Sequence, residues 1–334
     1  MKQTHFKYSH NQYRQIIIFF ISFIFLFLFI AICSLIGDAK INYISLFPNV
    51  ISNYLNNSIL IEYRLPRLLI GACVGANFAI SGAILQAVTK NPLAAPNVTG
   101  INAGSSFFSV LSLLIFANTN FFILPLASFT GAIFAGIVVY FFANKKGITP
   151  LRLILSGVAV DAFFHSGTTF ILVNNTEAVG SIYVWLSGSL WGKEWSEFLF
   201  ILPCSIIGIF VSIVLSKRIN ILNLSDEVII GLGLNIKKNR IILLILAVFL
   251  SSTGVCLVGP IGFIGLIIPN IMRTLFKYDY KLIIPFSALG GAFLVILSDT
   301  IGRSVLAPIE IPAGLISSLL GSPYFIYLLL KSRF

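Results

Sequence analysis

Residues 64–86 read RLPRLLIGACVGANFAISGAILQ: two arginines, then a run from Leu68 to Leu85 that carries no charge. A bilayer core of about 30 Å is crossed by about 20 helical residues, and in hydrocarbon every backbone N–H and C=O must be satisfied within its own segment. The stretch therefore predicts a membrane-spanning helix. Pro66 suits its first turn, where an N–H has no intrahelical partner in any case. Gly71, Gly75 and Ala79, four apart, predict a face along which a second helix comes close.

The same pattern recurs along the whole chain of 334 residues, which is 57% hydrophobic and only 10% charged. Mean hydropathy is +0.99, far above that of an ordinary water-soluble domain. Apolar runs predict ten spans, at 16–36, 65–86, 97–116, 121–143, 152–174, 198–216, 241–258, 260–276, 282–301 and 312–330. Gly262, Gly265 and Pro269 interrupt the eighth, so a broken or tilted helix is expected there. The first run follows a basic leader, residues 1–15, with Lys2, Lys7 and Arg14. A cleaved signal peptide competes with a retained span, but the run is longer than a typical apolar core of such a peptide and lacks a small-x-small site. The expected architecture is all-α, a single transmembrane domain over residues 1–334 with about ten helices.

Cytoplasmic loops of membrane proteins are enriched in lysine and arginine. With the N-terminus inside, 17 of the 22 basic residues fall on the inner side, among them Lys90, Lys145, Lys146, Arg152, Lys217, Arg218, Lys237, Lys238, Arg240, Arg273 and Arg333. Only Lys40, Arg64, Arg67, Lys193 and Arg303 fall outside. That asymmetry predicts both termini in the cytoplasm. The net charge of +11 is spread over short loops rather than gathered on one soluble surface, which argues against a nucleic-acid partner. Cys33, Cys73, Cys204 and Cys256 stand singly in apolar segments, as packing residues do.

Several chemistries are missing from the sequence. No GxxxxGK[ST] loop, HExxH or GxSxG occurs, and no clustered ligand set suggests a bound metal or cofactor. The chain is not expected to be an enzyme, and transport is the default class. Asp161 and His165, one helical turn apart in the fifth predicted span, are costly at that depth. They either line a substrate path or a proton relay, or belong to a carboxyl satisfied by His165 or Asn77. A proton-coupled secondary transporter built on this pair is the alternative from another class.

After RLPR come Ser81, Gly82 and Gln86, then Asn91, Pro92, Leu93, Ala94, Pro96 and Gly100 in the pattern NPLAxPxxxG. LILSGVAV, WLSGSLWG, GPIGFIGLIIP, SDTIGR and EIPAGLISSLLGSPYFIYLL follow further on. Together these resemble the FecCD-type permeases of ABC importers for iron siderophores, haem and cobalamin, over essentially the whole chain from about residue 60. The resemblance implies the type II ABC importer permease fold in the bacterial cytoplasmic membrane. It implies a second permease subunit, the same chain or a paralogue, two ATP-binding subunits holding ATP and magnesium, and an extracellular or periplasmic substrate-binding protein. A ferric siderophore is the expected substrate, with cobalamin or haem as alternatives.

Carried over by position, the resemblance implies that Arg64, Arg67 and Arg303 meet acidic groups of the binding protein. A guanidinium can grip a carboxylate through two parallel hydrogen bonds. Interface anchoring by snorkelling would put arginines in the same places. Asp299, four residues before Arg303, is a candidate to orient it. The inner loop 217–240 resembles the element that couples to the ATPase. Within it Asp226, Glu227, Val228, Ile229, Gly231, Leu232 and Gly233 are expected to form a short amphipathic helix and a sharp turn. Thr149 and Pro150 fall at the cytoplasmic gate, and Asp161 and His165 on a path-lining helix. Asn91, Pro92, Gly100 and Pro269 are motif residues of structural role. Asn270 stands where members of the family commonly carry histidine.

Overall fold

A computed structural model describes residues 2–37, 59–115, 123–144, 149–175, 179–277 and 279–331. Lys40, Lys145, Lys146 and Arg333 lie outside the described residues. The order of helices is α1 (Lys2–Leu35), a π-helical turn (Ile59–Arg64) running into α2 (Leu65–Thr89), a 3-10 turn (Pro96–Thr99), α3 (Ile101–Ile115), α4 (Ile123–Asn144), α5 (Pro150–Asn174) and α6 (Val179–Leu186). Then come α7 (Trp195–Leu222), α8 (Asp226–Gly231), α9 (Ile236–Val258), α10 (Ile264–Phe276), α11 (Tyr280–Val305) and α12 (Ala313–Lys331). No strand occurs among the described residues.

Each predicted span falls on one of these helices. Seven are long and apolar enough to cross a membrane, and Ile101–Ile115, Ile264–Phe276 and Ala313–Leu328 are shorter apolar helices. The helix of the opening stretch, α2, is the centre of the bundle and packs against α11, α9, α7 and α10. Ile70, Val74, Ile80 and Ile84 are fully buried on it. The small-residue face meets α11 at a backbone-to-backbone crossing. A Cβ added at Gly75 would collide with the Gly291 carbonyl, and one at Gly291 would collide with that of Gly75. Gly82 meets the backbone of Gly265 in the same way. In lipid, such close approach supplies the dispersion contacts that hydrophobic burial supplies in water.

Several boundaries differ from expectation. The eighth predicted span becomes helical only at Ile264. Gly259 ends α9 at φ +76°, where a Cβ would strike the Trp185 carbonyl, and Phe263 stands at φ +66°. The connection between the fifth and sixth predicted spans contains α6. Helix α7 starts at Trp195, three residues early, because an acidic capping box opens it: the Glu194 N–H donates to Glu197 Oε2 at 2.8 Å and the Glu194 side chain accepts from the third residue's N–H. Finally, α7 runs on through Lys217 and Arg218 to Leu222 and α9 already begins at Ile236. The predicted inner loop 217–240 thus shrinks to residues 223–235 around α8. α1 runs back to Lys2, so the basic leader is helical and continuous with the first span.

Candidate functional site

The 25 residues of α2, at about 1.5 Å of rise each, separate two charged clusters by about 37 Å. One surrounds RLPR and the other surrounds α8.

At the RLPR end, the arginines serve the chain itself. α1 ends at Leu35, so its last carbonyls have no intrahelical donors. Arg64 Nη1 donates to Ser34 O at 3.0 Å, and Arg303 Nη2 donates to Cys33 O at 2.9 Å. Arg67 takes the acids. Its Nε and Nη2 grip Asp299, with Nη2 to Oδ1 at 2.8 Å, while Nη1 lies 2.8 Å from Glu310 Oε2. Asp299 is therefore the partner of Arg67 first, and Arg303 Nε reaches it only at 3.5 Å. The expected i,i+4 pair of Asp299 with Arg303 is thus present, but second to the bond with Arg67. A planar fork approaching from another helix matches the carboxylate better than a side chain one turn along the same helix. Arg64 and Arg303 are buried, the side chain of Arg67 is 12% exposed and that of Asp299 2%. Glu310, on the loop between α11 and α12, is the most open member at 27%.

At the other end, α8 is held by an ionic clamp and one apolar anchor. Asp226 Oδ1 accepts from Lys90 Nζ at 2.9 Å and from Arg240 Nη2 at 3.1 Å, and Lys90 also donates to the Leu224 carbonyl at 2.8 Å. The Lys90 hydrogen bond foremost, and then the Arg240 charge, hold the Asp226 carboxyl below the usual carboxylate range although some burial opposes them. Ile229 is fully buried, whereas Val228, Ile230 and Leu232 are exposed. The expected stripe of Val228, Ile229 and Leu232 thus splits between the two sides of the helix, because Ile229 joins the core that includes Ile219 and Leu222. Glu227 and Gly231 are exposed, and Gly233 makes the turn at φ +73°.

Between the clusters, Pro269 explains much of the sequence around it. Proline has no N–H, so the carbonyl four residues earlier, that of Gly265, loses its helical donor. Gln86 Nε2 replaces it at 3.1 Å. Asn270 Nδ2 donates to the Pro92 carbonyl at 2.9 Å and to Leu266 O at 2.8 Å. Arg273 Nη2 donates to Gln86 Oε1 and to Asn270 Oδ1. Asn91 Oδ1 accepts from the Leu93 N–H at 2.9 Å, which shapes the turn. Gly100 stands at φ +74° against the backbone of Gly157 and Asp161.

The expected gate and path residues lie on α5. Thr149 is its N-cap, with the side chain accepting from the Arg152 N–H at 3.4 Å, and Pro150 is its first residue. Asp161 is half-buried and His165 exposed. Asn77 is not the partner of Asp161, because its amide donates to Ser205 and Thr253 at 2.9 and 3.0 Å. Leu155, Phe163, Phe170 and Val173 leave α5 with an uncovered apolar side, and a groove of about 700 Å³ runs between Phe163 and Phe170 and Phe107 of α3.

The sequence did not disclose Glu310, Lys90 or the Gln86–Arg273 link as members of these clusters. For Glu310 and Lys90 the available signal was a charged residue flanking an apolar run, whereas Gln86 and Arg273 fall within predicted spans; in each case the partners lie far apart in sequence, as Arg67 and Glu310 do.

The model of the FecCD transport family matches residues 23–331. The chain is 41% identical over 268 residues to the Fe(3+)-citrate import system permease protein YfmE of Bacillus subtilis (strain 168), covering 80% of each. It is 42% identical over 283 residues to the Iron(3+)-hydroxamate import system permease protein FhuG of the same organism, covering 82% of this chain and 84% of that one. A solved structure described as an inward-facing conformation of a metal-chelate type ABC transporter superposes with a TM-score of 0.84 at 29% identity, over 94% of this chain and 99% of that one.

Proposed function

The chain belongs to the FecCD transport family, and from that membership we propose that it carries a ferric siderophore across the cytoplasmic membrane on energy released by a partner ATPase. It is a permease subunit of an ABC importer and a multi-pass membrane protein. The proposed siderophore rests on the iron-citrate and iron-hydroxamate relatives, and cobalamin and haem are the competing cargoes. The assembly would pair this chain with a second permease subunit, two ATP-binding subunits that hold ATP and magnesium, and a substrate-binding protein outside.

In the proposed topology ten helices cross the bilayer with both termini inside, so RLPR faces outward and α8 inward. The observation that carries the cycle is α8 itself. It is pinned from behind by Ile229 and by Asp226, yet exposes Val228, Ile230 and Leu232 beyond the end of α2. Such an apolar surface outside the bilayer suits a groove on a partner protein. Docking of the loaded binding protein at Arg64, Arg67 and Arg303 would start the cycle, and ATP-driven movement of α8 would turn the α5 and α12 faces between outward and inward access.

The test is uptake of iron-55 loaded on a panel of siderophores, with cobalamin and haem in parallel, by vesicles holding the permease and ATPase. Import of one siderophore that requires ATP and the binding protein supports the proposal. Uptake that survives loss of ATP but collapses with the proton gradient replaces it with the secondary transporter built on Asp161 and His165. ATP-dependent import of cobalamin or haem alone corrects the cargo and leaves the cycle.

A further inference from the structure

The cluster at the RLPR end bears on docking: each nitrogen of the Arg67 guanidinium already holds a carboxylate. Nε and Nη2 hold Asp299, and Nη1 holds Glu310. The two carboxylates differ in how firmly they are placed. Asp299 is 2% exposed and sits within α11, where it is also near Arg303. Glu310 is 27% exposed and sits on the 306–312 loop, two residues before Pro312 and three before α12 begins. The Ile311 N–H on the Gly302 carbonyl at 3.0 Å ties that loop to α11, and the Ile309 N–H on Leu306 O at 2.9 Å is internal to it. Around Glu310 it exposes Val305, Leu306 and Ile309, an apolar rim that a docked protein would cover.

We propose that Glu310 is a positioning residue that occupies Arg67 Nη1 in the resting permease, and that a carboxylate of the docking protein takes its place. The inference rests on the docking role given above to Arg67. An incoming carboxylate of the same charge and shape substitutes for Glu310, so Arg67 stays neutralised throughout, and the displaced Glu310, already partly exposed, turns to water. Displacing Asp299 instead would strand a buried acid. The exchange also gives docking a mechanical consequence. Release of Glu310 frees the 306–312 loop, which leads directly into α12. Because Glu310 competes with the partner, its presence weakens docking and makes loop release a condition of tight binding.

The test uses the assembled permease–ATPase complex in nanodiscs, with the substrate-binding protein that stimulates its ATPase as the probe. Glu310→Gln keeps size and removes charge, and Arg67 retains Asp299. Binding-protein affinity is expected to rise about tenfold. Hydrogen exchange at the Ile311 amide is expected to speed up on docking in the wild type, and to be fast in Glu310→Gln before any probe is added. Arg67→Lys, which keeps the charge but loses the fork, is expected to weaken docking. Unchanged or weaker docking of Glu310→Gln, alongside weakened docking of Arg67→Lys, overturns the exchange and leaves the docking role standing. Unchanged affinity in both variants overturns the docking role and the exchange with it.

Discussion

The two ends of α2 use charge in opposite ways. At the RLPR end three guanidiniums and two carboxylates are folded inward, and the cluster is mostly buried. At the α8 end Asp226 is half-exposed and Lys90 partly so, and behind it are one buried cation, Arg240, and the apolar core that takes Ile229. A buried ion cluster is rigid, because removing one member leaves another charge without compensation. An exposed clamp is weak and can let go. The first arrangement, apart from the more open Glu310, suits a fixed platform and the second suits an element that moves.

The largest expected break of that contrast is Asp299→Ala. It strands Arg67 and Arg303 with too little compensation, and a loss of about 3–5 kcal/mol is expected for a broken buried pair. Thermal unfolding of the purified permease in detergent measures it, and a loss below about 1 kcal/mol would make the cluster as loose as the α8 clamp. Next comes Ile229→Ala, expected to cost about 2–5 kcal/mol as a buried large-to-small change and to detach α8 in hydrogen exchange.

Val228→Asp with Leu232→Asp sharpens the comparison. Both residues are exposed, so stability is expected to change by less than about 0.5 kcal/mol, while co-purification of the ATPase is lost. Retained ATPase would remove α8 from the coupling role. The smallest effect is expected for Asp226→Asn, about 0.5 kcal/mol or less, since the carboxylate is half-exposed and screened. Its folded pKa lies below the ordinary value of 3.8, so the clamp contributes fully above about pH 4 and is lost as pH falls through the lowered value. Faster exchange at residues 224–231 only in that acid range checks the sign, and the dependence should vanish in Asp226→Asn.

Much of the fold was legible in the sequence because lipid imposes a simple rule: long uncharged runs must be helices. The small residues at Gly71, Gly75 and Ala79 predicted a close crossing, and α2 meets Gly291 of α11 there. Boundaries set by polar chemistry were less visible. The capping box of Glu194 and Glu197 starts α7 before its apolar run begins, and hydropathy does not register a cap. Of the residues expected to interrupt the eighth span, Gly262 lies in the break before α10, whereas Gly265 and Pro269 lie inside the continuous helix, and the donor that repairs Pro269 was not foreseen. Gln86 lies 179 residues before the carbonyl it serves. Ile229 shows the limit of short periodicity: over six residues, helical spacing names an apolar set but not which side faces the core.

The sequence by itself determined that this chain is a bundle of apolar helices, which stretches form them, and which family it resembles. Each follows from local composition or from motifs read in order. What only the tertiary structure decided is how the charges are spent. Arg64 and Arg303 cap α1, Arg67 joins α11 to the loop before α12, and Lys90 and Arg240 hold α8. The partner of a charged side chain depends on distance in space, and packing around α2 sets that distance.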